Sequence, residues 1–349
     1  MYLSKKKERT FISLDLGTAN IIAYISDQGI VFNEPSMIAY DNNTNQIVAV
    51  GRKAYEMSGK QPRNIRIIRP LLEGVVADMD AVIDLLMYVF KKLKLSNLWS
   101  KSIVLLAVPS GITRIERIAI KNIAFDMGAS IVVVEEETKM AAIGAGINID
   151  TPRGHLIIDI GGGTTDASIV GSGETIVSRS IKIAGQQIDN EIYKYIRGEY
   201  NAAVGIRTAE ELKMKLGSLQ PYNGEGSLTV YGRDVVTGLP RSITIKASEI
   251  RNIILNSFSR IVDIIIEVLE STPPQLTGDI VSSGIMIAGG GALIRKIDSY
   301  FKAIFNINTK IAKNPLMCVI EGTKEYEKVV RKLISKGVYK ENNRDGQKF

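Results

Sequence analysis

The chain has 349 residues, 45% of them apolar and 23% charged, with a net charge of +7. That length suits about two domains with sizeable cores, and no uninterrupted apolar run approaches the roughly 18 residues of a membrane span. One cysteine, Cys318, and one histidine, His155, argue against a disulfide framework, a histidine-built metal site and a Ser-His triad, and suit the cytosol.

The charge sits at the two ends. Residues 1–10 carry Lys5, Lys6, Lys7 and Arg9 against Glu8, and residues 324–349 carry eight Lys/Arg against four Asp/Glu, so the body between them is neutral. No apolar stretch follows the lysines before Asp15, which is not the pattern of a secretory signal. Basic ends on a neutral body suit an anionic surface better than nucleic acid, which would want cations within the fold. Solvated tails are the other reading of the same pattern.

In chain order, residues 10–40 read as strands, with a further strand at Ile47–Gly51 and a short helix at Arg52–Gly59. Asp80 to Lys94 is an amphipathic helix with Val82, Leu85, Leu86, Val89 and Phe90 on one face. Ile103–Val108 is wholly apolar, as in a strand buried on both faces. Thr113–Met127 reads as a helix ended by Gly128, and Ile131–Val134 as another buried strand. This alternation predicts a largely parallel α/β sheet. In the second half, strands run to about Ile183, followed by helices at Gln187–Tyr200 and at Thr208–Leu216, the latter opened by a Thr208 cap with Glu211 three residues on. A polar hairpin spans Gly224–Ile245, and a long helix runs from Ala247 to Glu270. A buried strand at Gly284–Ala288 leads through Gly289-Gly290-Gly291 into a helix reaching Tyr300.

One pattern occurs twice. Phe11-Ile12-Ser13-Leu14-Asp15-Leu16-Gly17-Thr18 returns as Leu156-Ile157-Ile158-Asp159-Ile160-Gly161-Gly162-Gly163-Thr164-Thr165. Each copy is a buried-type strand reaching an Asp, then a tight glycine turn with small hydroxyl residues. Such a turn presents backbone N–H groups to phosphate oxygens. The Asp suits a hydrated Mg²⁺, which takes one or two carboxylates along with phosphate oxygens. Two such turns face to face would clamp a nucleoside triphosphate. The Gly289–Gly291 triple after a third strand lets backbone approach a base or phosphate closely. Neither GxGxxG nor a Walker lysine motif occurs.

Taken together, Asp15–Asn20, Glu136–Gly146, Asp159–Asp166 and Gly284–Arg295 resemble the phosphate 1, connect 1, phosphate 2 and adenosine motifs of the actin, sugar-kinase and Hsp70 superfamily. Asn33-Glu34-Pro35-Ser36, Val108-Pro109-Ser110-Gly111-Ile112-Thr113, Ala141–Gly146, Ser178-Arg179-Ser180-Ile181 and Arg207-Thr208-Ala209-Glu210 are similar to its bacterial-actin branch, the MreB family. The resemblance covers residues 10–335. It implies an α/β, actin-like ATPase fold: two similar domains, each a mixed, mainly parallel sheet flanked by helices, with a nucleotide cleft between them. Domain I would span 1–150, with a smaller subdomain at 34–75 and the segment 309–337 packed back on it. Domain II would span 151–308, with a smaller subdomain at 186–249, and 338–349 would be a disordered basic tail.

By position, the resemblance places Asp15 and Asp159 on either side of Mg²⁺-ATP, through water. Gly17, Thr18, Ala19 and Asn20, with Gly161, Gly162, Gly163, Thr164 and Thr165, would bond phosphates. Glu137 would orient the attacking water, assisted by the Thr164 hydroxyl. Glu210 and Lys213 would contact ribose and base, with Gly289, Gly290 and Gly291 beneath the adenosine. The implied protein is a filament-forming ATPase of cell shape at the inner face of the membrane. It would form a head-to-tail homopolymer through residues 34–75, with the helix Thr113–Met127 a candidate for pairing protofilaments.

Two departures bear on hydrolysis. The family usually reads Glu-Glu-Pro-Met-Ala-Ala-Ala; this chain has Glu136-Glu137-Thr138-Lys139-Met140-Ala141-Ala142. Loss of the proline is expected to loosen the turn that aims Glu137, and Lys139 to pair with the neighbouring acids. A third difference is Lys215, where relatives commonly carry Glu near the ribose. A scaffold that binds nucleotide without hydrolysis therefore stays open. A small-molecule kinase would need an additional cleft Asp, and an Hsp70-like chaperone a substrate domain; no segment supplies either. Separately, Leu98 and Trp99 lie in a lysine-flanked loop, Lys91 to Lys101. An apolar tip ringed by cations suits insertion at an anionic lipid interface, and folding back onto the core is the alternative.

Overall fold

The computed structural model describes residues 9–92 and 102–340. The Lys5–Lys7 run, the Leu98–Trp99 loop and residues 341–349 of the basic tail lie outside them.

A meander of β1 (Thr10–Leu16), β2 (Asn20–Ile25) and β3 (Gly29–Pro35) opens the chain. A small sheet follows, of β4 (Ile38–Asp41), β5 (Ile47–Val50) and β6 (Ile65–Ile68), with α1 (Arg52–Met57) between the last two. The hairpin β7 (Leu71–Leu72) and β8 (Val75–Val76) leads into α2 (Met79–Lys92). Then come β9 (Ser102–Val108), α3 (Arg114–Asp126), β10 (Ile131–Glu136) and α4 (Glu137–Gly144). The first large sheet has the order β10-β9-β1-β2-β3, parallel on the β10-β9-β1 side and antiparallel on the other.

The second half repeats the plan. It runs β11 (His155–Ile160), β12 (Thr165–Gly171), β13 (Glu174–Ile181), α5 (Gly185–Glu199), β14 (Ala202–Ala203), α6 (Ile206–Leu216), β15 (Ser227–Asp234), β16 (Pro240–Lys246) and α7 (Ala247–Glu270). It continues with α8 (Pro274–Ser283), β17 (Ile285–Ala288), a 3-10 turn (Gly290–Leu293), α9 (Ile297–Phe305), β18 (Thr309–Ile311) and α10 (Cys318–Ser335). Its large sheet, β13-β12-β11-β17-β18, again joins an antiparallel meander to a parallel pair. Asp15 stands beside Ala107 of its parallel neighbour, and Asp159 beside Ala288 of its own. The repeated sequence is thus a repeated register.

Alternation in β1 and β9 explains why both faces are apolar. Ile12, Leu14, Val104 and Leu106 pack with α2 and α3 residues, whereas Phe11, Ile103 and Leu105 pack with Ile320, Tyr326 and Val330 of α10. Buried Ser13 is satisfied by the Thr323 hydroxyl of α10 at 2.6 Å. In the second half, α7 supplies Ile250, Ile254, Phe258, Ile261 and Ile265 to the largest core.

Local signals in the sequence match the structure in part. Thr113 does cap α3, in a full capping box with Glu116, and Gly128 follows at φ 102°. The Thr208 cap is corrected: α6 starts at Ile206 after Gly205, and Thr208 N–H already donates to the Gly205 carbonyl, so Thr208 lies inside the first turn and Glu211 turns to Lys215. The helix expected after the glycine triple is broken: a 3-10 turn ends at Leu293, and Lys296 in a left-handed conformation precedes α9. Helix α8, with proline in its first turn, was missed although Pro273-Pro274 is a helix-start signal. Cys318 is buried, with its thiol donating to the Asn314 carbonyl.

Candidate functional site

The two Asp-glycine turns face one another across a cleft. Gly17, Thr18, Ala19 and Asn20 line one side; Gly161, Gly162, Gly163 and Thr164 line the other. The first turn is tight, because a β-carbon on Gly17 would stand 2.7 Å from the Asn20 carbonyl oxygen. Ser36 braces it by donating through its hydroxyl to Gly17 O at 2.7 Å and through its amide to Ala19 O at 2.9 Å. The second turn closes through Gly161 N–H to Thr164 O at 2.9 Å. The first turn of α5 docks on it, with Gln186 N–H donating to Gly162 O at 2.8 Å. The turns touch: a β-carbon on Gly162 would lie 2.6 Å from that of Ala19. The hairpin tip between β7 and β8 closes one end, where Gly74 donates its N–H to the Thr18 hydroxyl at 3.3 Å and abuts the Thr164 side chain.

Asp15, Glu137, Asp159 and Asp166 all line this cleft. Burial pushes Asp15 up to about 7. Burial, then the charges of Asp166 and Asp15, pushes Asp159 up to about 8. Glu137 is held well above the usual carboxylate range by burial, then by Asp15, Asp159 and Asp166. Its Oε1 is buried without a hydrogen-bond partner. A crowd of desolvated acids around an orphaned oxygen is a site that lacks positive charge and donors. Magnesium and a polyphosphate fit it: one or two carboxylates reached through water, with the glycine turns as anion donors. Among the described residues no three acidic, histidine or cysteine side chains converge to hold a metal unaided.

Gly289, Gly290, Pro315, Leu316 and Val319 also line the cleft, as does Ile22, which packs in one cluster with Val319. Gly289 sits at φ 79°, and a β-carbon there would press on Asp159 Oδ1 and Ile160 O, so only glycine fits. Gly291 does not line the wall; it packs on Ile160 beneath it. Thr165 also lies behind the wall, its hydroxyl committed to Ile183 O at 2.6 Å. Glu210 and Lys213 stand outside the cleft lining. Tyr55 donates its phenol to Glu210 Oε2 at 2.7 Å, and Lys213 pairs with Asp189 at 2.8 Å and donates to Gly185 O at 2.9 Å. Leu98 and Trp99 fall outside the described residues.

In the connecting segment, the residue that stands in the proline's place is held by its side chain. Thr138 is fully buried, and its hydroxyl meets Ser168 Oγ at 2.9 Å and Ser110 Oγ at 3.2 Å. Lys139 does pair with the acid run, but with Glu135 (3.2 Å) and Glu174 (3.2 Å) and over the Tyr326 ring, not with Glu137. Lys215 pairs with Glu211 on the exposed face of α6. Asp166 joins the site although the sequence reading does not single it out: it stands two residues past Thr164, and its place opposite Asp159 is set by strand register.

The family described as MreB/Mbl protein matches residues 9–335. The cell shape-determining protein Mbl of Bacillus subtilis (strain 168) is 42% identical over 312 residues, 89% of this chain and 94% of Mbl. The crystal structure of MreB 5 of Spiroplasma citri bound to AMPPNP superposes with a TM-score of 0.91 at 58% identity, covering 94% of this chain and 99% of that one. The MamK double helical filament shares the fold, with a TM-score of 0.75 at 21% identity over 90% of this chain and 97% of that one. The fold is actin-like, as the motifs implied.

Proposed function

The chain belongs to the MreB/Mbl family, and from that premise we propose that it is a cytoskeletal protein of cell shape determination or maintenance. In this reading it binds Mg²⁺-ATP in the cleft, polymerises into membrane-associated filaments and hydrolyses ATP slowly. The observation that carries the reading is the contact of two glycine turns with four acids between them. The AMPPNP bound to the Spiroplasma citri protein and the shape role in the name of Bacillus subtilis Mbl support it.

Asp15 and Asp159 would hold the metal, and the N–H groups of both turns would bind phosphate oxygens. Bound magnesium would neutralise charge on those oxygens. Glu137, at the first position of α4, orients a water with its unpartnered oxygen and receives its proton. The Thr164 hydroxyl holds that water in line. Gly289 and Gly290 with Leu316 form the apolar seat of the base, and α6, carrying Glu210 and Lys213, approaches the ribose as the cleft adjusts.

Filament growth is head to tail and does not close on itself. Ile115 and Ile118, 80% and 48% exposed on α3, suit side-by-side pairing of protofilaments. Among the described residues no helix is long and apolar enough to cross a membrane. In this reading Leu98, Trp99 and the basic ends attach the protein at the inner membrane face. Sedimentation of the purified chain with and without Mg²⁺-ATP and anionic liposomes tests the reading. Nucleotide-dependent pelleting that liposomes increase is expected; protein that stays in the supernatant under all conditions overturns it.

A further inference from the structure

Helix α4 starts at Glu137 with no side chain capping it, since Glu136 at the cap makes no such bond. The acid that faces the cleft is therefore the first residue of a helix whose own end does not anchor it. The next residue does. Thr138 is 0% exposed, and its hydroxyl oxygen lies 2.9 Å from Ser168 Oγ on β12 and 3.2 Å from Ser110 Oγ in the loop after β9.

Ser168 donates to Thr138, and either oxygen can carry the proton shared between Thr138 and Ser110. Ser110 in turn donates its N–H to Asp166 Oδ1 at 3.1 Å, and Asp166 stands on β12 two residues past Thr164. The network thus joins the backbone that carries Glu137 to β12 directly through Ser168, and to Asp166 through Ser110.

We infer that Thr138 is a positioning residue: its hydroxyl, bonded to Ser168 and Ser110, fixes Glu137 relative to β12, the strand that follows Thr164. This rests on the Mg²⁺-ATP reading of the cleft. A proline, which the family's usual pattern puts at this place, has no hydroxyl to enter such a chain. Thr138 does not touch the nucleotide, so its loss changes the aim of Glu137 and leaves the phosphate-binding turns as they are.

The test compares Thr138→Val, which removes the hydroxyl at nearly constant shape, with Thr138→Ser, which keeps it, and with Ser168→Ala, which breaks the chain at its other end. Phosphate release, equilibrium affinity for a fluorescent ATP analogue and thermal midpoint are measured for each. Misplacing a reacting group lowers turnover without weakening binding, so Thr138→Val is expected to lose about tenfold or more in kcat while its nucleotide Kd stays within about twofold. Thr138→Ser recovers most of the rate, and Ser168→Ala falls between. A merely structural Thr138 would lower affinity and midpoint together with the rate, and that result overturns the inference. So does Thr138→Val at the parent's kcat, or Thr138→Ser as slow as the valine variant; should the valine variant not fold, Ser168→Ala at the parent's rate decides against it. If the parent itself is as slow as Glu137→Ala, the hydrolysis reading fails and the inference with it; a fast parent, a slow Glu137→Ala and a fast Thr138→Val reject the inference alone.

Discussion

A β-carbon on Gly163 would lie 2.6 Å from the hydroxyl oxygen of Thr18. The two residues belong to turns 145 positions apart in the chain, and their contact brings the two central strands, each ending in an acid, into one site. The close approach depends on the missing side chain, so the second turn is a fitted surface as well as a flexible loop.

Replacing Gly163 with alanine should therefore pry the turns apart by a few tenths of an ångström or more. Mg²⁺-ATP affinity is expected to fall about tenfold, one hydrogen bond's worth between charged partners. Far-ultraviolet circular dichroism should stay that of the parent. An equilibrium titration with unchanged affinity would remove Gly163 from the clamp.

Glu137→Gln keeps the shape of the side chain and removes the proton acceptor. Phosphate release should drop by roughly 10²- to 10⁴-fold, the usual contribution of a positioned base, while the nucleotide Kd holds. Because the parent acid is crowded by Asp15, Asp159 and Asp166, the amide should if anything ease burial, and the thermal midpoint of the nucleotide-free variant should not decrease.

Without nucleotide and metal, the acids set a pH dependence of stability. Asp15 and Asp159 are pushed by burial from 3.8 to about 7 and about 8. A raised carboxyl in the folded state contributes stability that is complete below the unfolded value and is lost as pH rises through the folded one. In EDTA, the thermal midpoint should fall from about pH 5 to about pH 8, and Asp159→Asn should flatten that fall. Parallel profiles for the two proteins would mean that Asp159 is not strained by its surroundings.

Much of this arrangement was legible in the chain, and the reason is physical. A strand buried on both faces must be wholly apolar, so Ile103–Val108 and Leu156–Ile158 declare themselves, and an Asp followed by glycine at such a strand's end has few structural uses. The hidden part is what only three-dimensional contact creates. Nothing in the local sequence pairs Tyr55 with Glu210, 155 positions away, or Thr138 with Ser168 and Ser110. Asp166 lies inside the second glycine motif, but the residue that bonds it, Ser110, comes from a segment 56 positions away. The Thr208 cap failed for a local reason: Gly205 already supplies the extended residue that starts α6.

Tyr55 on α1 and Glu210 on α6 tie the first half of the chain to the second outside the cleft lining, with the Arg207 guanidinium 4.6 Å above the Tyr55 ring. Tyr55→Phe keeps the ring and removes the 2.7 Å bond. A hydrogen bond to a charged group contributes about 1.5–3 kcal/mol, so exchange of bound nucleotide should quicken by roughly tenfold or more. Stopped-flow displacement of a fluorescent analogue at the parent's rate would show that the clasp does not govern exchange.

The central claim is that Asp15 and Asp159 act jointly on one magnesium-bound triphosphate, and a calorimetric titration of Mg²⁺-ATP into the parent and Asp159→Ala proteins tests it most directly. The account predicts saturable binding of one nucleotide by the parent and a loss of roughly a hundredfold or more in the variant, with the difference shrinking when EDTA replaces magnesium. Equal affinities for the two proteins in magnesium would contradict it.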